Sequence, residues 1–375
     1  MINCKFFYDS LTANGVSFFT GVPDSLLQDF CAYVMDHTPD SRHVIAANEG
    51  GAIALACGHF LAARTPALVY MQNSGQGNAL NPLASLADPD VYGIPLLMLI
   101  GWRGEPGKKD EPQHVKQGKI TLTLLETLGI PYKVLPDEKE AAKDCMDEVF
   151  KLLNAASAPV AIVVRKGVFE PYELRLRESS PFKMSREEAL KIVVENLAPL
   201  DVVVSTTGKI SRELYECRDT LGQDHSKDFL TVGSMGHSSQ IALGIALANP
   251  GRQVFCLDGD GAAIMHMGAL AIVGSKRPLN YRHILFNNGA HDSVGGQPTA
   301  GFAISFPDIA RSCGYKWVAS AQSPSQTRQR IREMSVAEGP ALLEIRVRRG
   351  ARSDLGRPKT TPVENKKSFM KFIAD

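Results

Sequence analysis

The feature that most constrains the fold is a repeated alternation between short apolar runs and longer segments of helical period. In the first half of the chain the runs are 16–22, 43–47, 67–72, 94–102, 132–135 and 160–165. In the second half they are 202–206, 229–232, 254–258, 283–286, 316–319 and 341–346. Continuous apolar runs are typical of parallel strands buried on both faces, with helices as the crossovers. The chain is therefore predicted to be an α/β protein with two doubly wound parallel-sheet domains.

A segment without clear period separates the two series. Residues 169–184 contain two prolines and a Ser-Ser pair, and Ser185-Arg-Glu-Glu188 is a capping-box pattern that begins a new helix. We place the domains at 1–167 and 185–350, joined by a linker at 168–184. The tail, 351–375, carries six Lys and Arg against three Asp and Glu. We expect this tail to be solvated; a closing arm over a site near a polyanion is the alternative.

Composition excludes several classes of protein. The 41 Lys and Arg against 40 Asp and Glu leave a net charge of +1, which argues against nucleic acid as the main partner. Seven cysteines are scattered without a CxxC spacing, so free thiols in a reducing compartment are expected rather than a disulfide framework. The first residues do not resemble a secretory signal, and the longest apolar run is far shorter than the ~20 residues of a membrane helix. We expect a soluble, cytoplasmic protein.

A polar motif follows one of the buried strands of the second domain. Gly259-Asp260-Gly261 comes directly after the run 254–258, and Asn287-Asn288 ends the next strand. Ligands of α/β sheets bind at the carboxyl ends of strands, and the amides of a helix N-terminus can hold a diphosphate. Asp260 and an asparagine on the neighbouring strand offer hard oxygen ligands that suit Mg²⁺. Alone, the motif could equally be a tight Asp-Gly turn.

Two upstream stretches could complete a cofactor site. Thr206-Thr207-Gly208 ends another strand, and its hydroxyl groups could donate to a diphosphate; a simple turn is the alternative. Gly233-Ser234-Met235-Gly236-His237 precedes a small-residue helix at 241–248 that could pack closely against the sheet. Without a cofactor motif, Met235 would be taken as a core methionine.

One carboxylate stands out in the first domain. Glu49 lies at a strand-to-helix junction and is followed by Gly50 and Gly51. A lone glutamate there would usually be a helix-end charge favoured by the macrodipole.

The joint arrangement of strand, Gly259-Asp260-Gly261, helix, strand and Asn287-Asn288 resembles the motif of thiamine diphosphate enzymes. The resemblance implies Asp260, Asn288 and the main-chain oxygen of Ala290 as Mg²⁺ ligands, with Asn287 structural. It implies that Met235 holds the cofactor bent. The remaining cofactor-binding residues that it implies are Thr206, Thr207, Gly208, Gly233, Ser234, Gly259, Gly261 and Ala262.

The same resemblance gives Glu49 a catalytic role. It implies that Glu49 hydrogen-bonds the pyrimidine N1′ and thereby lets the cofactor remove its own thiazolium proton. The domain 1–167 would then bind the pyrimidine and 185–350 the diphosphate, with no middle domain. Because cofactors of this family bridge domains of different subunits, a homodimer or higher homo-oligomer is implied.

Within these enzymes the chain resembles phosphonopyruvate decarboxylases over nearly its whole length. The stretches that carry the resemblance are 21–27, 71–82, 101–107, 110–114 and 287–299. The resemblance implies conversion of the small molecule 3-phosphonopyruvate to phosphonoacetaldehyde and CO₂, in phosphonate biosynthesis.

Basic residues after one strand are candidates for holding the phosphonate. Arg103, Lys108, Lys109 and His114 lie in and beside a Gly/Pro-rich loop, which suits an anionic group. A solvated surface turn is the alternative.

Other polar residues are candidates for substrate contact or proton transfer. Asp24 and Ser25 could order the substrate carboxylate or relay a proton, although Asp24 could be only a helix cap. Asn73 and Ser74 suit a pocket wall, and His291 could donate a proton, although a lone loop histidine is more often exposed.

Four other functions remain open. Sulfopyruvate decarboxylase is the nearest in chemistry, and many such enzymes divide the two domains between two chains. A 2-oxoacid oxidoreductase would need iron–sulfur cysteines, and a carboligase often has a middle domain. A non-enzymatic cofactor-binding protein is disfavoured because Glu49, Asp260 and Asn288 are all present.

Overall fold

The computed structural model describes residues 1–155, 157–175 and 180–374. The chain forms two compact units, Met1–Glu178 and Ser179–Asp375. Part of the predicted linker (176–179) and the last residue of the predicted tail lie outside the described residues.

The first unit is one parallel sheet between two layers of helices. Its strands are β1 (Phe18–Gly21), β2 (His43–Ile45), β3 (Ala67–Gln72), β4 (Leu97–Gly101), β5 (Tyr132–Val134) and β6 (Val160–Val164). Its helices are α1 (Cys4–Ala13), α2 (Gln28–His37), α3 (Glu49–Ala63), α4 (Gln76–Pro82), α5 (Pro112–Thr127) and α6 (Lys139–Ala155). The strand order is β2-β1-β3-β4-β6-β5, with every pair parallel among the described residues.

The second unit repeats this plan with its own sheet. Its strands are β7 (Val202–Ser205), β8 (Asp228–Leu230), β9 (Val254–Gly259), β10 (Tyr281–Asn287), β11 (Trp317–Ala321) and β12 (Ala341–Arg346). Its helices are α7 (Arg186–Glu195), α8 (Lys209–Thr220), α9 (Ser238–Ala248), α10 (Asp260–Met265), α11 (Gly268–Lys276), α12 (Phe306–Cys313), α13 (Pro324–Val336) and α14 (Pro362–Ala374). The order is β11-β12-β10-β9-β7-β8, again with parallel pairs.

Burial explains why the apolar runs predicted these strands. Every residue of β4, β6 and β7 is buried, and alternate side chains of each strand enter hydrophobic clusters on opposite faces of the sheet. The predicted α/β class with two doubly wound sheets is confirmed. Each of the twelve runs overlaps a strand, although the ends shift by a few residues. The run 94–102 begins too early, because β4 starts only at Leu97, after Pro95, which has no N–H to donate.

The predicted capping box at the start of α7 is confirmed. Glu188 accepts a hydrogen bond from the Ser185 backbone N–H at 2.7 Å, and the Glu188 N–H donates to Ser185 Oγ at 3.1 Å. These bonds satisfy donors that the first turn of a helix leaves unpaired.

The residues after β6 pack onto the first unit. Val168 and Phe169 are buried, and Phe169 forms a parallel bridge with Ile2. The Tyr172 hydroxyl donates to Asp36 at 3.0 Å. This part of the predicted linker therefore covers the core instead of crossing open surface.

The expectation of a solvated C-terminal tail is wrong for α14. Phe369 is buried in a cluster of the second unit, and Asn365 lies against β8. Asn365 Oδ1 accepts from the Leu230 N–H at 3.0 Å, and its Nδ2 donates to the Asp228 carbonyl at 2.8 Å. Because β8 is an edge strand, this side chain satisfies backbone groups that the sheet leaves unpaired. No helix in the described ranges is both long and apolar enough to cross a membrane.

Candidate active site

In the first unit, the carboxyl ends of four neighbouring strands carry the predicted polar residues. Glu49 follows β2, Asp24 follows β1, Asn73 follows β3 and Arg103 follows β4. Since these strands are adjacent in the order β2-β1-β3-β4, the fold brings the four residues to one edge of the sheet.

Glu49 is buried at the N-terminus of α3, with 5% of its surface exposed. Its Oε2 accepts a hydrogen bond from Asn78 Nδ2 at 2.7 Å. Gly75 lies directly against the same carboxyl group, and a Cβ built on Gly75 would be 2.5 Å from Glu49 Oε1. The helix start itself is capped by Asn48, which accepts from the Gly51 N–H at 2.8 Å. The carboxylate is therefore held in one place by a glycine, an amide donor and a helix terminus.

Asp24 is fully buried and keeps two hydrogen bonds. Its Oδ1 accepts from Gln72 Nε2 at 2.7 Å, and its Oδ2 from the Leu26 N–H at 2.9 Å. Burial raises the pKa of Asp24, although these bonds and the charge of Arg103 oppose the shift. A Cβ on Gly101 would lie 2.1 Å from Asp24 Oδ2, so the end of β4 must be glycine for Asp24 to fit.

Arg103 is paired with a carboxylate that the sequence analysis did not single out. Its Nε and Nη2 donate to the two oxygens of Asp110 at 2.8 and 2.5 Å, and its Nη1 donates to Ser25 Oγ at 2.9 Å. The hydrogen bonds to Asp110 raise the pKa of Arg103. Burial alone would raise the pKa of Asp110, but the bonds from Arg103 and the Gly104 N–H lower it.

Asn73 fixes the backbone of Arg103. Its Nδ2 donates to the Arg103 carbonyl at 2.8 Å, and its Oδ1 accepts from the Arg103 N–H at 3.2 Å. Ser74 donates to Gln72 Oε1 at 2.7 Å, which steadies the amide that contacts Asp24. Both polar residues of this turn therefore support the side chains that flank Asp24 and Arg103.

His114 and Lys108 differ sharply in their surroundings. His114 lies in the first turn of α5 and is buried, and its Nδ1 has no hydrogen-bond partner among the described residues. Burial, assisted by the charge of Arg103, lowers the pKa of His114 to about 4. Lys108 and Lys109 have exposed side chains.

In the second unit, Asp260 occupies the strand-to-helix turn that the sequence predicts. It is the first residue of α10, only 2% exposed, and its carboxylate accepts from the Thr299 hydroxyl and from the Asn288 N–H. Burial raises the pKa of Asp260 to about 6. Among the described residues no cationic side chain pairs with this carboxylate, and a buried carboxylate of that kind is suited to a metal ion.

The paired asparagines at the end of β10 have different surroundings. Asn287 donates to the Gly301 carbonyl and to Glu344 Oε1, both at 2.7 Å, so its NH₂ group holds neighbouring segments of the fold together. Asn288 is 3% exposed, and its Nδ2 donates to Asp292 Oδ2 at 2.6 Å. Its Oδ1 accepts from the Ala290 N–H at 3.1 Å and keeps a second lone pair. Asn288 and Ala290 therefore lie beside Asp260 in a loop that can offer oxygen ligands.

The turn after β7 provides a buried hydroxyl. Thr206 is 4% exposed, and its Oγ1 has no hydrogen-bond partner in the part of the chain that the structure describes. Thr207 Oγ1 accepts from the Gly233 N–H at 3.0 Å, which joins this turn to the loop after β8. Gly208 has φ +99° and is the N-cap of α8. Because a buried polar group normally has a partner, Thr206 fits a site that receives a polar ligand.

The loop that carries Met235 packs against α10. Gly233, Ser234 and Gly236 have φ of 75°, 48° and 83°, so the chain turns sharply around Met235, which is half-buried. A Cβ on Gly236 would lie 3.0 Å from the Ala262 carbonyl. The loop after β8 thus lies beside the helix that begins with Asp260.

His291 and Gly261 are also in contact. A Cβ on Gly261 would lie 3.0 Å from His291 Cε1, and burial lowers the pKa of His291 to about 4. Gly259 ends β9, and Ala262 is buried in the first turn of α10.

The residues of the two units fit the implied cofactor and metal. The second unit offers an oxygen-rich loop, a buried carboxylate and a hydroxyl that has no partner within the described ranges; the first offers a fixed buried glutamate. Sequence reasoning missed Gln72, Gly75, Asp110 and Asp292 as supports. All four lie inside the stretches that carry the family resemblance, which was the available signal.

Comparison with known families matches both halves of the chain. Residues 4–124 match the thiamine pyrophosphate enzyme N-terminal TPP binding domain, and residues 207–345 match the C-terminal TPP binding domain. The phosphonopyruvate decarboxylase of Streptomyces hygroscopicus is 35% identical over 390 residues, covering 100% of this chain and 95% of its own. The chain belongs to the phosphonopyruvate decarboxylase family of thiamine pyrophosphate enzymes.

Two further relatives agree with this membership. The phosphonopyruvate decarboxylase of Streptomyces viridochromogenes is 35% identical over 392 residues, covering 100% of this chain and 95% of its own. The sulfopyruvate decarboxylase of Methanosarcina acetivorans is 26% identical over 385 residues, covering 96% of this chain and 94% of its own. The predicted family, a thiamine-diphosphate-dependent decarboxylase, is thus confirmed.

Proposed function

We propose that this enzyme decarboxylates 3-phosphonopyruvate to phosphonoacetaldehyde and CO₂, using thiamine diphosphate and Mg²⁺, in phosphonate biosynthesis. The observation that carries the proposal is 35% identity to two phosphonopyruvate decarboxylases across the whole chain, against 26% to the sulfopyruvate decarboxylase. The anionic substrate agrees with the guanidinium of Arg103 and the exposed Lys108 after β4.

The cofactor would be held mainly by the second unit. Asp260, Asn288 and the main-chain oxygen of Ala290 are the proposed Mg²⁺ ligands, since two of them are buried oxygen donors side by side. Thr206, whose hydroxyl has no partner among the described residues, is a proposed donor to the diphosphate. Met235 is the proposed apolar support under the cofactor. When bound, thiamine diphosphate supplies an electron sink for the electron pair left as CO₂ departs.

Glu49 is the proposed activating residue. Its Oε2 already accepts from Asn78, so Oε1 is the oxygen that can hold the proton shared with the pyrimidine N1′. The fixed position matters because a proton is shared efficiently only across a well-placed hydrogen bond. Asn78 and Gly75 therefore act by holding Glu49, not by touching the reacting atoms.

Asp24 is the proposed proton donor to the product carbon. Its pKa is raised by burial, which brings the carboxyl group closer to the pH at which it can give a proton. His114 and His291, each with a pKa lowered to about 4, are neutral at pH 7 and suit hydrogen bonding better than proton donation. Arg103, positioned by Asp110 and Ser25, is the proposed contact for the phosphonate, with Asn73 and Ser74 supporting it.

A homodimer or higher homo-oligomer in the cytoplasm is also proposed. Helices α3 and α9 are apolar on nearly all sides, yet Leu55 and Leu61 of α3 are 39% and 69% exposed and Leu247 of α9 is 51% exposed. Helices of this composition are normally covered, which supports a partner subunit. Light scattering after gel filtration tests this, and a monomer with full activity would contradict it.

Sulfopyruvate decarboxylase is the second candidate. Its support is the Methanosarcina relative, a single chain whose alignment covers 96% of this one. An undivided chain therefore does not by itself exclude sulfopyruvate decarboxylase activity. The test is CO₂ release from phosphonopyruvate, sulfopyruvate and pyruvate, side by side, with thiamine diphosphate and Mg²⁺. We expect kcat/KM to be highest for phosphonopyruvate; a higher value for sulfopyruvate would reverse the assignment.

A further inference from the structure

A buried ionic chain ends on the side chain of Asn288. Arg186, at the start of α7, donates from Nε and Nη2 to both oxygens of Glu213 at 2.8 Å. Its Nη1 donates to Asp292 Oδ2 at 3.2 Å, and the same oxygen accepts from Asn288 Nδ2 at 2.6 Å. The side chains of Arg186 and Glu213 are only 6% and 2% exposed. Removing one partner of such a network would leave the other charge buried and uncompensated.

Asp292 joins four separate segments of the second unit. Besides Arg186 and Asn288, its Oδ2 accepts from the Gly350 N–H at 3.0 Å, in the chain after β12. Its carbonyl accepts from Lys209 Nζ at 3.0 Å, next to the turn formed by Thr206, Thr207 and Gly208. The loop that carries Asn288 is therefore tied to the starts of α7 and α8.

The chemistry of a carboxylate decides which way the Asn288 amide faces. Asp292 Oδ2 accepts hydrogen bonds from three N–H donors, so the NH₂ group of Asn288 faces Asp292 and its carbonyl Oδ1 faces away from it. If the amide were reversed, it would present an NH₂ group to the cation, and an NH₂ group cannot ligate one. Arg186 lies 3.2 Å from the same Asp292 oxygen and offsets its negative charge.

We propose that Asp292, held by Arg186, is the positioning residue that orients Asn288 Oδ1 toward the cation. This inference rests on the proposed Mg²⁺ site and adds the residue that determines which atom of Asn288 faces the cation. Partners one shell beyond a metal ligand commonly change metal affinity by about 10- to 100-fold. Asp292→Asn weakens the orientation, because an asparagine can either donate to or accept from Asn288, which leaves the Ala290 N–H to hold Oδ1.

The test is Mn²⁺ binding by electron paramagnetic resonance, with thiamine diphosphate present. We expect Asp292→Asn to bind Mn²⁺ about 10- to 100-fold more weakly than wild type. Asp228→Asn is the matched control. It also removes the charge of an aspartate that is doubly bonded to a buried arginine, Arg218, but at the start of β8. It should lose thermal stability and keep its Mn²⁺ affinity.

Each outcome decides a different point. Unchanged Mn²⁺ affinity in Asp292→Asn, or an equal loss in Asp228→Asn, overturns the positioning role. If Asp292→Asn does not fold, Arg186→Lys replaces it. Lysine keeps the positive charge but cannot donate to Glu213 and Asp292 together as the guanidinium does. Weaker Mn²⁺ binding in this variant supports the positioning role, and wild-type binding overturns it. A wild-type protein that binds no Mn²⁺ would instead refute the proposed metal site.

Discussion

Gly75→Ala tests whether the position of Glu49 matters for catalysis. The added Cβ would lie 2.5 Å from both Cγ and Oε1 of Glu49, whereas ordinary contacts begin at 3.4 Å. Glu49 must therefore withdraw by about 1 Å, which breaks its 2.7 Å bond with Asn78. Misplacing a catalytic group by ~1 Å can cost on the order of 100-fold in rate. The backbone at Gly75 has φ −72°, so alanine itself is tolerated there.

The assay is kcat for CO₂ release, together with hydrogen exchange at the thiazolium C2 by quenched-flow NMR. Gly75→Ala should lower kcat and the C2 exchange rate by about 100-fold. Glu49→Gln is measured beside it to show the rates that remain when the carboxylate is lost. Gly77→Ala is the control two residues away, because nothing lies within 4 Å of its added Cβ. Wild-type exchange in Gly75→Ala would refute the account of Glu49, as would an equal loss in Gly77→Ala.

Three further outcomes are expected. Asp260→Ala should abolish Mg²⁺-dependent thiamine diphosphate binding, because the diphosphate loses the cation that bridges it to the protein; calorimetry showing unchanged affinity would contradict the metal site. Arg103→Ala should lower kcat/KM for phosphonopyruvate by roughly 30- to 1000-fold but change pyruvate little, and an equal fall for both would make Arg103 structural. Burial lowers the pKa of His43 to about 4, below the ~6.5 of an exposed histidine. As pH falls from about 6.5 to 4, His43 is protonated in the unfolded chain before it is protonated in the folded chain, so the free energy of unfolding decreases. In urea unfolding, the free energy of unfolding of wild type minus that of His43→Asn should decrease by up to ~1.4 kcal/mol per pH unit in that window. A difference that stays constant with pH would contradict the prediction.

The sequence was sufficient for the fold because the signal is repeated. Twelve apolar runs with helices between them allow little besides two parallel sheets, and burial of every residue in β4 and β6 is the physical cause. Glu49, Asp260 and Asn288 could be placed at strand ends because each follows a predicted strand of its own domain, and the family resemblance then supplied their roles.

The supports of the site could not be predicted in the same way. Arg103 and Asp110 pair across a loop that has no period, so nothing in their spacing indicates a contact. Asp292 meets Arg186 from 106 residues away in the chain. The close approach of Gly75 to Glu49 depends on how α4 follows β3, which composition does not reveal.

The helix in the C-terminal tail was missed although a signal existed. Phe369, Phe372 and Ile373 have the spacing of one helical face and pack on the cluster that contains Val202. The surplus of basic residues on the other positions drew the interpretation toward a solvated segment. Periodicity is the better guide here, since a charged helix can still bury one face.

The most direct test of the proposed reaction is to follow phosphonopyruvate by ³¹P NMR with the purified enzyme. We predict that its resonance is replaced by that of phosphonoacetaldehyde only when both thiamine diphosphate and Mg²⁺ are present, with CO₂ released in equal amount. An unchanged phosphonopyruvate resonance, under conditions in which the same enzyme consumes sulfopyruvate or pyruvate, would contradict the proposed function.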